Sequence, residues 1–454
     1  MIRLSLDQIA TIVGGELHAT EGSTVLVTGP ASVDSRVIDP GGLFAAIPGE
    51  HVDGHDFVAD AIGHGAVAVL ASRRVDAPCV VVPDVTVALG QLAHAVLDRI
   101  DPVVIGITGS QGKTSVKDLV AQILQDSGPT VAATGSFNNE LGVPLTVLRA
   151  DEQTAYLVVE MGARGIGHIA QLCSIAQPDI GVVLNVGNAH VGEFGSADVT
   201  AAAKREMVEA LDPEGVAVLN ADDPRTNAMV THTVARVLTF GRGGSVALGP
   251  VELDASGEPT FTLSHADETV TTHVQQLGEH HAMNAAAAAA ICLAAGLDLA
   301  TVGERLARAT AASPMRMART LRADGVLIID DTYNANPESV AAALRAAMAL
   351  RVGERRIAAV LGEMLELGEE SADRHREIGV LAAELGVDLV VAVGEAAWPI
   401  AEGAEDGGTT EVMRADDTNV ASRMVSAWLR PPDIVLVKAS RGARLERVTA
   451  VLGA

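Results

Sequence analysis

Gly109-Ser110-Gln111-Gly112-Lys113-Thr114-Ser115 carries the strongest chemical signal in the 454-residue chain. The two glycines let backbone N–H groups approach phosphate oxygens, Lys113 adds a point charge, and Thr114 can offer its hydroxyl to Mg²⁺. The spacing is shorter than the strict GxxxxGK[ST] pattern, because Ile107 stands where its first glycine would be. A phosphate-bound Mg²⁺ needs hard oxygen ligands, and Glu160 would join Thr114 in supplying them. A second cation site could use His190 and Lys204, yet an ammonium cannot coordinate a metal. If Lys204 captured CO₂, the carbamate would become a carboxylate on a long stem; otherwise it reads as a surface helix lysine near Glu206.

These residues need elements to hold them. Val103 to Ile107 reads as a short buried strand, and Lys113-Thr114 opens a helix. Val116, Leu119, Val120, Ile123 and Leu124 give that helix an apolar face, and Gly128-Pro129 stops it. Three further strands are expected, Tyr156–Val159 before Glu160, Gly181–Leu184 before Asn185 and Val216–Leu219 before Asn220. In parallel sheets ligands gather beyond the carboxyl ends of strands, which places Glu160 and Asn185–His190 near the phosphate loop. Lys204 sits on the helix AAAKREMVEAL, Asn284 early in an Ala-rich helix over Gly278–Ala295, and Asn138 and Asn139 in the loop Thr134–Pro144.

The alternation predicts an α/β chain of three domains. Residues 1–85 form a first unit, with a short helix around Leu4–Ile12 and strands at Thr24–Val27, Val67–Leu70 and Cys79–Val82. Asp34, Ser35 and Arg36, and the loop Asp53–Phe57 with Gly54 and His55, read from residue type alone as solvated turns. Residues 86–312 form a central, mainly parallel P-loop-type domain entered by a linker helix (86–100). Residues 313–454 form a Rossmann-like domain with strands at Val326–Ile329, Ile357–Leu361, Leu389–Val393 and Ile434–Val437.

A net charge of −26 argues against nucleic acid and anionic membranes as partners, and concentrates the few cations where phosphate must bind. Cys79, Cys173 and Cys292 lie far apart with no CxxC, as buried thiols of a reducing compartment do. The N-terminus has an Asp within its apolar run and is not expected to be a signal peptide; Ala285–Leu297 is shorter than the roughly 20 residues a bilayer needs. A cytoplasmic protein without membrane insertion is expected.

TGSQGKTSVKDLV, TGSFNNELGVPLTVL, VVEMGARGIGHI, NVGNAHVGEFGS, AKREMVEAL, DDTYNANPESV, GEMLELGEES and VKASRGARLE together resemble the Mur ligases, and DSRVIDPGGLFAAIPGEHVDGHDF resembles that family's uridine-nucleotide-binding domain. The resemblance spans all three domains. It implies an ATP-dependent ligase, with D-alanyl-D-alanine as acceptor and a UDP-N-acetylmuramoyl-tripeptide as acyl donor, acting through an acyl phosphate in peptidoglycan precursor synthesis.

By resemblance, Lys113, Glu160, His190 and Lys204 are catalytic. Gly109, Ser110, Gln111, Gly112, Lys113, Thr114, Ser115, Asn284, Arg316, Asp331 and Asn336 bind ATP, and Ser35, Arg36, Asp53, Gly54, His55, Asn138 and Asn139 face the UDP substrate. Thr114, Glu160, His190 and carbamylated Lys204 hold two Mg²⁺ ions, in a monomer with small-molecule partners. Two departures from the family pattern stand out. GEHHAMN carries His281 where an Asn is usual, and Ser313-Pro314-Met315-Arg316 replaces Pro-Gly-Arg. TYNANP argues against the diamino-acid-adding sister, whose version would read Tyr-Ala-His-Thr-Pro, and a folate polyglutamate synthase normally lacks the uridine domain. A P-loop protein using ATP as a switch would leave Glu160, His190 and Lys204 without a task.

Overall fold

The computed structural model describes residues 1–19, 24–49, 52–187, 196–409 and 411–453. His190 lies outside them. Three larger sheets follow one another along the chain, with five, nine and six strands.

The first sheet runs in the order Glu16–His18, Cys79–Val81, Ala66–Ala71, Gly42–Ala46, Ala31–Ser32, parallel except for its Glu16–His18 edge. Gly42–Ala46, between the two loops read as solvated turns, is a strand the sequence reading did not list: all five residues are buried. Gly41 has φ +83°, and a Cβ on Gly42 would lie 2.8 Å from the Asp39 carbonyl, so the glycines serve a tight entry into a buried strand. The helix Leu6–Val13 starts at a Ser5–Gln8 capping box.

Helix Val85–Ile100, capped by Asp84, is no loose linker. It packs on Leu6–Val13 from one side and on helices Gly142–Val147 and His168–Ala176 from the other, so the first unit and the central domain share one apolar core.

The central sheet runs Glu268–His273, Pro259–His265, Val246–Leu253, Arg236–Gly241, Val216–Asn220, Ile180–Val183, Val103–Thr108, Tyr156–Glu160, Thr130–Ala132. It is parallel apart from the antiparallel pairings made by Pro259–His265. Side chains of Val103–Thr108 alternate between faces. Ile105 and Ile107 meet the apolar stripe of helix Lys113–Gln125, while Val104 faces the core beneath Val85–Ile100. Ala285 to Ala290 are fully buried, and these small side chains let helix His280–Ala294 lie close against Lys113–Gln125.

The third sheet runs Ala318–Leu321, Leu327–Asp331, Ile434–Lys438, Ile357–Gly362, Leu389–Val393, Glu411–Ala415, with only its Ala318–Leu321 edge antiparallel. Arg319 seats this domain on the central one by donating to Ser256 O (3.1 Å), Gln275 O (3.3 Å) and the Glu258 carboxylate. Among the described residues no helix is long and apolar enough to cross a membrane.

Candidate active site

The loop after Val103–Thr108 lies between two neighbouring strand ends. Glu160 is the register partner of Ile107, and Val183 that of Thr108. From one side Thr114 Oγ1 donates to Glu160 Oε2 at 2.7 Å, and Asn138 Nδ2 donates to Glu160 Oε1 at 2.8 Å. Glu160 is only 2% exposed, a buried carboxylate held by neutral donors beside the phosphate loop. From the other side Asn185 grips the loop, accepting the Gln111 N–H (2.9 Å) at Oδ1 and the Ser110 N–H (3.2 Å) at its carbonyl, and Ser110 Oγ accepts the Gly187 N–H.

Gly112 has φ +81°, and a Cβ there would stand 2.7 Å from Asn284 Oδ1; backbone and neighbour both demand glycine. Lys113 Nζ donates to Gly109 O at 2.6 Å. Burial pushes the Lys113 pKa down, the Glu160 charge opposes this, and Arg316 adds to it.

A cavity of about 330 Å³ opens over this loop, and its walls come from two domains. The central domain contributes Ser110–Ser115, Glu160 and Asn284, and the third contributes Arg316, Asp331, Asn336 and Lys438. Arg316 lies over the Tyr333 ring (4.3 Å) with its Nε buried and without a hydrogen-bond partner among the described residues, a donor suited to a phosphate oxygen. Asp331 and Lys438 are register partners at adjacent strand ends and pair at 2.5 Å. Asn336 caps helix Pro337–Ala349 through Ser339 N (2.8 Å), so its oxygen has a structural task as well. His281, in the place of the usual Asn, is 4% exposed, and its Nε2 has no hydrogen-bond partner among the described residues.

A second cavity, about 680 Å³, shares Lys113, Ser136 and Asn138 with the first and adds Asn139, Arg164, His168, Lys204 and Glu366. Lys204 is not the surface lysine that residue type suggested. It is 2% exposed, has no hydrogen-bond or ion-pair partner among the described residues, and burial, helped by the Lys113 charge, holds its pKa to about 7. Glu206 instead caps helix His168–Ala176, accepting from Gly167 N (2.5 Å) and Ala170 N (3.0 Å).

A third cavity, about 600 Å³, lies in the first domain among Ser35, Arg36, Phe44, Gly54 and Phe57, and shares Val33 and Leu141 with the second. Asp53 and His55 are not on its wall. His55 Nδ1 bonds Asp53 Oδ1 (2.6 Å) while its Nε2 accepts the Ser72 N–H (3.1 Å), and Arg73 pairs with Asp53. The His55 backbone and ring N–H donors, with Arg73, hold the Asp53 carboxyl well below its usual range.

Residue type did not single out two of the anchors. Lys117 is 2% exposed and donates to Ala133 O (2.6 Å) and Gly135 O (3.1 Å), pinning the loop that presents Ser136 and Asn138. Tyr333 OH bonds Ser136 Oγ across the domain boundary. The four-residue step from Lys113 to Lys117, one helical turn, was the available signal for the first.

Three family models match: "Mur ligase family, catalytic domain" over residues 31–97, "Mur ligase middle domain" over 107–292, and "Mur ligase, glutamate ligase domain" over 315–441. The UDP-N-acetylmuramoyl-tripeptide–D-alanyl-D-alanine ligase of Mycobacterium tuberculosis is 44% identical over a 499-residue alignment covering 100% of this chain and 98% of that one. A crystal structure of MurF from Acinetobacter baumannii superposes with TM-score 0.88 at 32% identity, covering 99% of this chain and 98% of the other. MurF ligase from Thermotoga maritima in complex with ADP does so with TM-score 0.80 at 30% identity, over 94% and 97% of the two chains.

Proposed function

The chain belongs to the Mur ligase family, and on that premise we infer that it joins D-alanyl-D-alanine to UDP-N-acetylmuramoyl-tripeptide at the expense of ATP, forming ADP and phosphate in peptidoglycan precursor synthesis. One observation carries the reading from this chain's own geometry. The three cavities share walls, Lys113, Ser136 and Asn138 between the first and second, Val33 and Leu141 between the second and third. A substrate with a nucleotide at one end and a peptide carboxylate at the other can therefore lie in the first domain and reach the phosphate loop.

The donor's carboxylate is a poor electrophile and must be activated. The first-turn amides of helix Lys113–Gln125, the Lys113 ammonium and Arg316 hold the ATP phosphates, with Asn284 and His281 on the same cavity wall and Asp331 facing the ribose. The carboxylate attacks the γ-phosphorus, ADP leaves, and an acyl phosphate forms; the acceptor amine then attacks its carbonyl through a tetrahedral intermediate and phosphate departs. Closure of the third domain, marked by the Tyr333–Ser136 contact, keeps water from the acyl phosphate.

Mg²⁺ fits the donor set. Thr114 and Glu160 offer buried oxygens, one carboxylate suffices for an ion that also takes phosphate oxygens, and Lys204, once carbamylated, would add a carboxylate for a second ion. Bound there, the metal supplies positive charge against the γ-phosphate. The buried amine of Lys204, held to about 7, is the kind that reacts with CO₂ near neutral pH. His190 would complete the second site by resemblance.

We place the enzyme in the cytoplasm, in keeping with its three free, buried thiols, and read it as a monomer because one chain lines all three cavities. The test is product mass and phosphate release with donor tripeptides ending in meso-diaminopimelate or L-lysine, comparing D-alanyl-D-alanine, D-alanine and L-lysine as acceptors. Ligation of the dipeptide supports the reading; ligation of only a single amino acid contradicts it.

A further inference from the structure

We propose that Glu366 is a catalytic residue supplied by the third domain, holding the acceptor's amino group and taking its first proton. The proposal rests on the ligase reading above and adds the group that handles the nucleophile.

The 680 Å³ cavity is walled mainly by the central domain, and Glu366 is the described third-domain residue on its wall. Its backbone is left-handed, φ +67°, a conformation that a non-glycine residue keeps only where its surroundings impose it. Those surroundings are present. Met364 and Leu367 are buried on either side; Met364 N–H donates to His375 Nε2 (2.8 Å), Leu365 N–H donates to Ser440 Oγ (3.0 Å), and Ser440 N–H donates to Glu363 O (2.9 Å). The loop is thus fastened on both sides so that residue 366 projects towards the central domain.

Charge says what it meets there. Lys113 and Arg164 line the cavity and suit the carboxylates of the acyl donor. The acceptor arrives as an ammonium and needs an anion. Glu140 and Glu366 are the acidic residues on the described wall. Glu140 adjoins Leu141, at the end shared with the first-domain cavity, whereas the loop of Glu366 is tied through Ser440 to the segment just after Lys438, which walls the phosphate-loop cavity. Among the described residues, Glu366 is the one placed for the amine.

The balance is simple. Glu366 accepts one proton from R–NH₃⁺, leaving R–NH₂; the nitrogen lone pair forms the N–C bond; the C–O bond to phosphate breaks; and the second nitrogen proton leaves on the departing phosphate as HPO₄²⁻. No other reactant is required.

Glu366→Gln separates the half-reactions, since glutamine keeps the volume and the backbone demand but cannot take the proton. Positional isotope exchange in ATP labelled at the β,γ-bridge, with UDP-N-acetylmuramoyl-tripeptide and no acceptor, reports acyl-phosphate formation; dipeptide incorporation reports the whole. The variant is expected to retain exchange while kcat/KM for D-alanyl-D-alanine falls about 10²-fold or more, with partial recovery in Glu366→Asp. Ligation at the wild-type rate in Glu366→Gln, or exchange falling in parallel with ligation, overturns the proposal. Absence of both reactions in the unaltered enzyme would instead strike the ligase reading.

Discussion

Thr114 Oγ1 and Glu160 Oε2 are 2.7 Å apart, joining the first turn of the phosphate-loop helix to the end of the neighbouring strand. The contact follows from register, since Glu160 lies opposite Ile107, the penultimate residue of the strand that leads into the loop. Glu160→Gln keeps the shape and removes the charge that a cation beside the γ-phosphate would need. We expect kcat to fall about 10²–10³-fold and the Mg²⁺ requirement to rise, read by phosphate release across a Mg²⁺ titration. An unchanged Mg²⁺ dependence would remove Glu160 from the metal site.

Lys204→Ala is expected to lose activity and to regain part of it when short carboxylic acids are added, because a soluble carboxylate can occupy the space of the missing carbamate. Full activity in the unsupplemented variant would remove Lys204 from the mechanism. The burial that holds this amine to about 7 also makes a ¹³C carbamate signal from labelled bicarbonate the direct spectroscopic check.

Lys117→Met tests the anchor of the substrate loop. The buried Ala133 carbonyl and the half-buried Gly135 carbonyl lose their donor, and an unsatisfied buried acceptor costs about 1–3 kcal/mol. Denaturant unfolding should show a loss of that order.

The Rossmann-like alternation, the phosphate loop and the Ala-rich helix were legible because each declares itself locally, through apolar runs, a helical stripe and glycines at a turn. Gly42–Ala46 was not, since a strand of small residues behind Pro-Gly-Gly looks like a continued turn and its burial depends on pairing with Ala66–Ala71. The strands Val246–Leu253, Pro259–His265 and Glu268–His273 went unread because their polar, exposed faces dilute the period. Resemblance grouped Lys113, Glu160 and Lys204. That Lys204 is buried without a partner among the described residues, that His55 also reaches Ser72, and that Lys438 meets Asp331 all depend on residues far away in sequence.

Acid should destabilise the protein before its carboxylates titrate. His375 Nε2 accepts the Met364 N–H and is therefore unprotonated there, and burial lowers its pKa; His280 is held to about 4 in the same way. Above the unfolded histidine value of about 6.5 both states are neutral and stability is full. As pH falls below it the unfolded chain binds protons first, so stability drops towards the folded values. Unfolding midpoints between pH 7 and 4 should show this slope, and His375→Gln should flatten it; an equal slope in the variant would contradict the assignment.

The central claim is that ATP activates the donor's own carboxylate at the turn after Thr108. The most direct measurement uses UDP-N-acetylmuramoyl-tripeptide carrying ¹⁸O in its terminal carboxylate, with ATP and D-alanyl-D-alanine, and follows the label in the released phosphate. The account predicts that one labelled oxygen moves from the peptide to each phosphate as the amide forms. Unlabelled phosphate alongside product would mean that ATP is split by water, and would contradict it.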